Sequence, residues 1–221
     1  MKKSALKNKK VILVIILAVL ALAFKLFLDF TYVPAILMYH SIDEKENETK
    51  LSLCPAGFAR QMQFLYEKGY RVISLDEMVD MIKNKTRVPH KTVAITFDDG
   101  YENNYTCAYT ILKKYNFPAT IFVITGKIGE SGYLSWDELS QMQENNITIG
   151  SHTKSHPMLK YLPEKKIRDE VRDSKEILER NLGRKVKFIA YPGGSYDERV
   201  KSIVKESGYA AACGTNPGPS K

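Results

Sequence analysis

The stretch TVAITFDDG, residues 92–100, decides the fold. Its first six residues, Thr92 to Phe97, are mostly apolar, which is typical of a strand buried in a parallel sheet. Two acids, Asp98 and Asp99, follow at the point where that strand should end. In folds built from parallel strands, catalytic and binding residues lie at the carboxyl ends of the strands. The stretch therefore predicts an α/β fold with a functional site beside Asp98 and Asp99.

Apolar runs alternate with amphipathic stretches on both sides of this segment. The predicted strands cover residues 35–40, 71–75, 92–97, 119–124, 147–151, 186–191 and 209–213. The predicted helices cover residues 58–68, 76–84, 105–115, 135–145, 163–182 and 196–207. We expect the first strand, residues 35–40, to be buried. Six or seven such strand–helix units predict a parallel barrel or a doubly wound sheet.

Composition limits the possible functions. The chain has 221 residues, 44% of them hydrophobic, with 33 Lys and Arg against 25 Asp and Glu. This suits one catalytic domain with a short appendage and excludes a disordered chain. Five lysines lie within residues 1–10, before any acid, so the rest of the chain is too weakly basic to indicate nucleic acid. The cysteines Cys54, Cys107 and Cys213 are widely spaced, which excludes a disulfide scaffold or a zinc ribbon.

The N-terminal segment resembles a membrane-targeting sequence. Residues 11–30 are almost entirely apolar and follow a lysine-rich tail, residues 1–10. About 18 residues of helix reach about 27 Å, close to the roughly 30 Å of a bilayer core. We expect a transmembrane anchor over 11–30, with the tail in the cytoplasm and residues 31–221 outside the cell. The alternative is a signal peptide cleaved after Ala23, which would release a secreted protein.

Two of the four histidines, His152 and His156, lie four residues apart in SHTKSH, residues 151–156. One helical or 3₁₀-like turn would bring both rings to the same side. Two histidines and one carboxylate, with a position left open for water, form a recurrent catalytic metal site. The neighbouring acids Asp98 and Asp99 can divide the work, since one can hold a metal while the other takes a proton.

Two further strand ends carry candidate residues. Tyr191, Pro192 and Gly193 begin a turn whose glycines permit close approach of a ligand, and its N–H groups could form an oxyanion hole. An ordinary turn between strand and helix is the alternative there. His40 follows the first strand and is either a substrate-binding residue or a packed histidine. We assign His40, Tyr191 and Pro192 as candidate substrate-binding residues.

Three motifs, in this order, resemble a known family. TFDDG (96–100), SHTKSH (151–156) and YPGG (191–194) are similar to the first three motifs of the polysaccharide deacetylase family. This family is also called the NodB homology domain or carbohydrate esterase family 4. The similarity covers roughly residues 35–217. The opening ILMYHSI (36–42) resembles the branch that includes deacetylases of poly-N-acetylglucosamine.

The resemblance implies a distorted (β/α)7-type barrel and metal-dependent hydrolysis of N-acetyl, sometimes O-acetyl, groups on a sugar polymer. By position, Asp98 corresponds to the general base. Asp99, His152 and His156 correspond to the metal ligands, and the amide of Gly193 corresponds to the oxyanion donor. The implied cofactor is a divalent ion, zinc first, with cobalt, nickel or manganese as alternatives. The implied partner is a polysaccharide, while the N-terminal segment predicts the membrane as a second partner and the charge predicts no nucleic acid.

The chain departs from the family pattern in two places. Ala190 replaces the arginine that commonly opens the third motif. A tryptophan segment and a Leu-x-His carrying the general acid do not follow before Lys221. We therefore expect residues 31–221 to be a truncated deacetylase domain with a barrel incomplete at its C-terminus. The expected function is removal of N-acetyl groups from a cell-surface or extracellular N-acetylglucosamine polymer. The alternative is an impaired homologue that only binds carbohydrate.

Overall fold

A computed structural model describes residues 12–24, 34–44, 51–86 and 88–215. The strands of this part are β1 Ala35–Tyr39, β2 Ser41–Ile42, β3 Ser52–Leu53, β4 Arg71–Val72, β5 Thr92–Phe97, β6 Ala119–Val123, β7 Ile147–Ser151, β8 Phe188–Ala190 and β9 Ala211–Cys213. The helices are α1 (12–24), α2 Pro55–Glu67, α3 Leu75–Lys83, α4 Thr110–Tyr115, α5 Trp136–Gln143, α6 Glu164–Leu182 and α7 Glu198–Glu206.

Seven of the strands form one parallel sheet in the order β1-β5-β6-β7-β8-β9, and β4 pairs with the beginning of β5. The short strands β2 and β3 pair with each other. In the described part of the chain, β1 and β9 are the ends of this strand order, and each pairs with one neighbour in the large sheet. The arrangement is a half-barrel of parallel strands joined by helices, which confirms the predicted α/β fold and is consistent with a (β/α) barrel.

Residues at the helix ends explain where the helices begin and stop. The Ser74 side chain accepts a hydrogen bond from the Glu77 amide and caps α3, so the predicted strand over 71–75 ends early, at Val72. Ser135 and Glu138 form a capping box at the start of α5. Gly183, with a φ of 67°, ends α6 in the left-handed conformation.

Two predictions about local structure need correction. The predicted helix 105–115 begins as a π-helix, Asn104–Tyr109, and only its last part, α4, is α-helical. The first strand was expected to be buried, but Ile36 and Met38 on β1 are 42% and 45% exposed. The reason is that β1 is an edge strand of the described sheet, so an apolar composition alone does not place it in the core.

The side chains of successive strand residues alternate between the two faces of the sheet. The outer face packs against the helices, where Phe97 of β5 and Ile121 of β6 join the larger core cluster. The inner face carries a second cluster with Phe122 of β6, and α3 contributes Leu75 and Met78 to it. Residues that continue the inner-face alternation beyond the strand ends therefore point to the mouth of the half-barrel.

The predicted membrane anchor is only partly described. Residues 12–24 form α1, whereas the basic tail 1–10, residue 11 and residues 25–30 lie outside the described residues. Among the helices that the structure describes, none combines the length and the apolar character required to cross a bilayer.

We expect Phe122→Ala to lower the free energy of unfolding by about 3–5 kcal/mol, because Phe122 is fully buried and its loss leaves a cavity. Phe64→Ala is the matched control, since Phe64 is 50% exposed and should cost only about 1 kcal/mol. Urea unfolding followed by circular dichroism measures both. Equal losses in the two variants would show that the inner-face cluster is not a packed core.

Candidate metal and catalytic site

The structure brings the three predicted metal ligands together. The Asp99 Oδ1 atom lies 3.5 Å from the Nε2 atoms of both His152 and His156. The candidate ligand atoms of the three residues all lie within 4.8 Å of one another. Asp99 follows β5 and His152 follows β7, so the common edge of a parallel sheet produces this meeting.

His152 is held in one orientation. It continues the inner-face alternation of β7, and only 2% of its surface is exposed. Its Nδ1 lies 3.0 Å from the Ala190 carbonyl, which accepts a hydrogen bond from Nδ1–H and leaves Nε2 unprotonated toward Asp99. Burial, aided by the neighbouring His156, lowers the pKa of His152 to about 4. The ring is therefore neutral near pH 7, as a metal ligand must be.

Asp99 supplies the observation that best fits a cation. Its Oδ1 atom is buried, and no hydrogen bond reaches it from the described residues. A buried acceptor without a partner is costly unless another group neutralises it. Its backbone φ of 72° is left-handed, a conformation that aspartate tolerates better than most residues. One carboxylate and two imidazoles suit a divalent transition-metal ion and leave positions open for water.

The loop that carries the histidines is irregular. The sequence predicted a helical or 3₁₀-like turn over these residues, but Thr153 and His156 have left-handed φ values of 67° and 62°. Each such conformation costs of the order of 1–3 kcal/mol. The buried Thr153 side chain accepts a hydrogen bond from the His156 amide at 3.0 Å. The two rings meet edge to face with centroids 4.7 Å apart. The histidines are therefore as close as predicted, but an irregular loop and not a helical turn brings them together.

Asp98 occupies a different environment from Asp99. Its side chain is 7% exposed, and its amide donates to the Tyr39 carbonyl across the β1–β5 pair at 2.9 Å. Burial, followed by the charge of Asp99, raises the pKa of Asp98 to about 7. Cys213 at the end of β9 is near enough for the Asp98 charge to add to burial, and together they raise the pKa of the thiol to about 12. The two adjacent acids therefore differ in surroundings, since Asp99 faces the two histidines and Asp98 is buried with a raised pKa.

The third strand end offers a backbone donor. Gly193 is exposed with a φ of 56°, and a Cβ there would lie 2.9 Å from the Met158 sulfur. Its N–H makes no hydrogen bond within the described chain. Tyr191 and Pro192 are buried, and the Tyr191 ring packs on Tyr196 with centroids 4.7 Å apart. Tyr191 continues the outer face of β8, so contact of these two residues with substrate stays a prediction that the packing does not favour.

His40 lies beside the same site. It is half-buried after β1, and its pKa is lowered by burial, with Asp99 and His156 close enough to shift it in opposite directions. Its carbonyl accepts a hydrogen bond from the Asn104 side chain at 2.7 Å. Sequence reasoning missed Tyr101, whose pKa is raised to about 12 by burial and then by the nearby Asp99 carboxylate. The tyrosine directly after the DDG turn was the available signal.

Comparisons with known proteins agree with this arrangement. The family model described as polysaccharide deacetylase matches residues 85–212. YxkH of Bacillus subtilis (strain 168) is 35% identical over 183 residues, covering 83% of this chain and 64% of that protein. The poly-beta-1,6-N-acetyl-D-glucosamine N-deacetylase of Staphylococcus aureus (strain MSSA476) is 30% identical over 171 residues, covering 71% of this chain and 59% of that protein.

A solved structure is similar over most of both chains. The Streptococcus pyogenes deacetylase PplD, in complex with acetate, is 32% identical with a TM-score of 0.79, and the match covers 84% of each chain. The chain spans less than two thirds of the length of the two curated relatives above.

We expect His152→Ala and His156→Ala each to weaken zinc binding by more than about 100-fold, since removing a ligand should exceed the 10–100-fold effect of an outer-shell change. Zinc competition against a chromophoric chelator measures this. His90→Ala is the control, because His90 precedes β5 at the end opposite Asp98. Wild-type zinc affinity in either site variant would remove that histidine from the site.

Proposed function

The chain belongs to the polysaccharide deacetylase family, as its three motifs predicted, and we propose that it is a metal-dependent hydrolase that removes N-acetyl groups from an N-acetylglucosamine polymer. The observation that carries this proposal is the meeting of Asp99, His152 and His156 beside a separate buried carboxyl, Asp98. A turn with only a structural role would not need the buried Asp99 oxygen to lie beside two imidazoles without a hydrogen-bond partner.

The proposed chemistry assigns one task to each residue. When bound, a divalent ion supplies Lewis acidity, which lowers the pKa of water and polarises a carbonyl oxygen. Asp99, His152 and His156 hold the ion. Asp98 takes the proton of the attacking water, and the Gly193 N–H donates to the amide oxygen as negative charge develops on it. Water adds to the carbonyl carbon, and the C–N bond breaks as the leaving nitrogen takes up a proton, which balances the one that Asp98 removed, so that acetate and a free amine result.

The relatives favour this substrate class. The Staphylococcus aureus relative carries the name of a poly-beta-1,6-N-acetyl-D-glucosamine N-deacetylase, and the Streptococcus pyogenes deacetylase was solved with acetate, the other product of such a reaction. Zinc is the proposed ion because aspartate with two histidines is a common zinc set, and cobalt, nickel and manganese suit it too.

We also propose that residues 11–30 hold the protein at the cell membrane, with residues 31–221 outside. The support is the lysine-rich tail before an apolar segment, together with the large apolar side chains of α1, which are 49–64% exposed. A helix that is apolar all round and unpacked suits a lipid environment better than water. A polymer at the cell surface would then be within reach of the site.

We expect Asp98→Asn to keep zinc and to lower turnover by about 10²–10⁴-fold, because an amide cannot accept the proton of water. Asp99→Asn should instead weaken zinc binding, because a neutral amide is a poorer ligand than a carboxylate. Acetate release from β-1,6-linked N-acetylglucosamine oligomers and zinc content measure the two effects.

Asp137→Asn, at an exposed residue on α5, is the matched control and should change neither quantity. Equal zinc loss in Asp98→Asn and Asp99→Asn would mean that both acids bind the metal. Unchanged acetate release in Asp98→Asn would exclude the proposed general base. Zinc binding by the wild-type chain without any acetate release would favour the carbohydrate-binding alternative.

For the membrane segment, we expect the full chain to remain with the membrane fraction in 1 M salt. Apolar insertion is not screened by salt, whereas binding of a lysine patch to anionic lipid is. Immunoblotting of salt-washed membranes measures this, and a chain starting at residue 31 is the control. Release by salt would contradict the anchor, and a mature N-terminus at Phe24 would indicate cleavage after Ala23.

A further inference from the structure

The backbone amides of the loop between the two histidines donate to side-chain oxygens, while its Thr153 and Lys154 carbonyls accept from the Thr125 and Gly126 amides at 3.2 and 2.8 Å. The Thr153 amide donates to the Ser151 hydroxyl at 3.1 Å, and the His156 amide donates to the Thr153 hydroxyl at 3.0 Å. The two amides between them, Lys154 and Ser155, have no acceptor within the loop. Their acceptor lies on another element, so the conformation of the loop depends on that element.

That acceptor is the carboxylate of Glu170 on α6. Its Oε2 atom accepts from the Lys154 amide at 2.9 Å and from the Ser155 amide at 2.8 Å. Its Oε1 atom accepts from the Ser155 hydroxyl at 2.6 Å. Hydrogen bonds to an ionised carboxylate are roughly twice as strong as those between neutral groups. Three of them therefore attach the loop firmly to the helix.

The helix is itself fixed to the strand that carries His152. One turn beyond Glu170, the Ser174 hydroxyl lies 2.7 Å from the Ser151 hydroxyl, and both residues are fully buried. Ser151 ends β7, directly before His152. The α6 helix therefore contacts the segment both before His152 and before His156, and it sets the distance between the two rings.

On the basis of the proposed metal site, we propose that Glu170 is a positioning residue that holds His156 in ligating geometry. His156 needs such support because it is exposed and has a left-handed φ, whereas His152 is buried and bonded to Ala190. Strained backbone persists only where its surroundings over-determine it. Without Glu170, water can solvate the Lys154 and Ser155 amides, so the fold survives while the loop gains freedom.

Glu170→Ala is expected to weaken zinc binding by about 10–100-fold, the range typical of outer-shell changes at metal sites. Glu170→Gln should recover most of this loss, because its amide oxygen can accept from both backbone amides and its NH₂ can donate to the Ser155 hydroxyl. Asp173→Ala is the matched control. Asp173 is also an acid on α6, but it contacts only the Lys154 side chain of this loop, at 2.8 Å, and should leave zinc affinity unchanged.

Chelator competition gives the zinc affinity, and amide hydrogen exchange of Lys154 and Ser155 in the metal-free protein gives a second readout. Exchange should be faster in Glu170→Ala than in wild type or Asp173→Ala. Wild-type affinity and exchange in Glu170→Ala would overturn the proposal. A loss in Glu170→Gln or Asp173→Ala as large as in Glu170→Ala would assign the effect to charge rather than to positioning, and would also overturn it. If the wild-type protein binds no zinc but exchange is still faster in Glu170→Ala than in wild type, the metal site is contradicted and the attachment of the loop to Glu170 is established.

Discussion

The site depends on one constraint, which is that neighbouring parallel strands all end at the same edge of the sheet. Asp98 and Asp99 after β5, His152 after β7 and the turn after β8 are distant in sequence but adjacent in space for this reason. The alternation of side chains adds a second condition, because a residue that continues the inner face points into the mouth of the half-barrel unless the backbone leaves the strand conformation, as it does at Asp99 with its φ of 72°. His152 satisfies it, and Tyr191 does not.

The sequence was sufficient for the α/β fold class and for the residues that meet in the candidate site, because both follow from local patterns. A six-residue apolar run is visible without a structure, and so are the acids and histidines that follow such runs. Five of the six predicted helices have an α-helical counterpart with similar bounds, since Ser74, Ser135 and Gly183 mark helix ends by residue type. The sixth begins as a π-helix over Asn104–Tyr109 before α4, and residue composition does not distinguish the two.

Features that depend on the neighbours of a residue were not accessible from the sequence. The exposure of Ile36 and Met38 depends on β1 being an edge strand, and the left-handed backbone of Thr153 depends on hydrogen bonds from outside its own segment. Threonine is β-branched and strongly disfavours this conformation, so no propensity rule places it there. The role of Glu170 also depends on a tertiary contact, because it lies fourteen residues from His156 in an ordinary amphipathic helix.

The two histidines show how the site divides between rigidity and access. His152 is 2% exposed and bonded to a strand carbonyl, whereas the His156 side chain is 39% exposed on a loop. The proposed polymer substrate cannot pass through the packed core, so it would approach from the side of His156 and the exposed Gly193. Burying the His156 side chain would fix its position but would also close the open side of the site. Hydrogen bonds hold that loop in place instead, because the Thr153 hydroxyl and the Glu170 carboxylate accept from its amides and its carbonyls accept from the Thr125 and Gly126 amides.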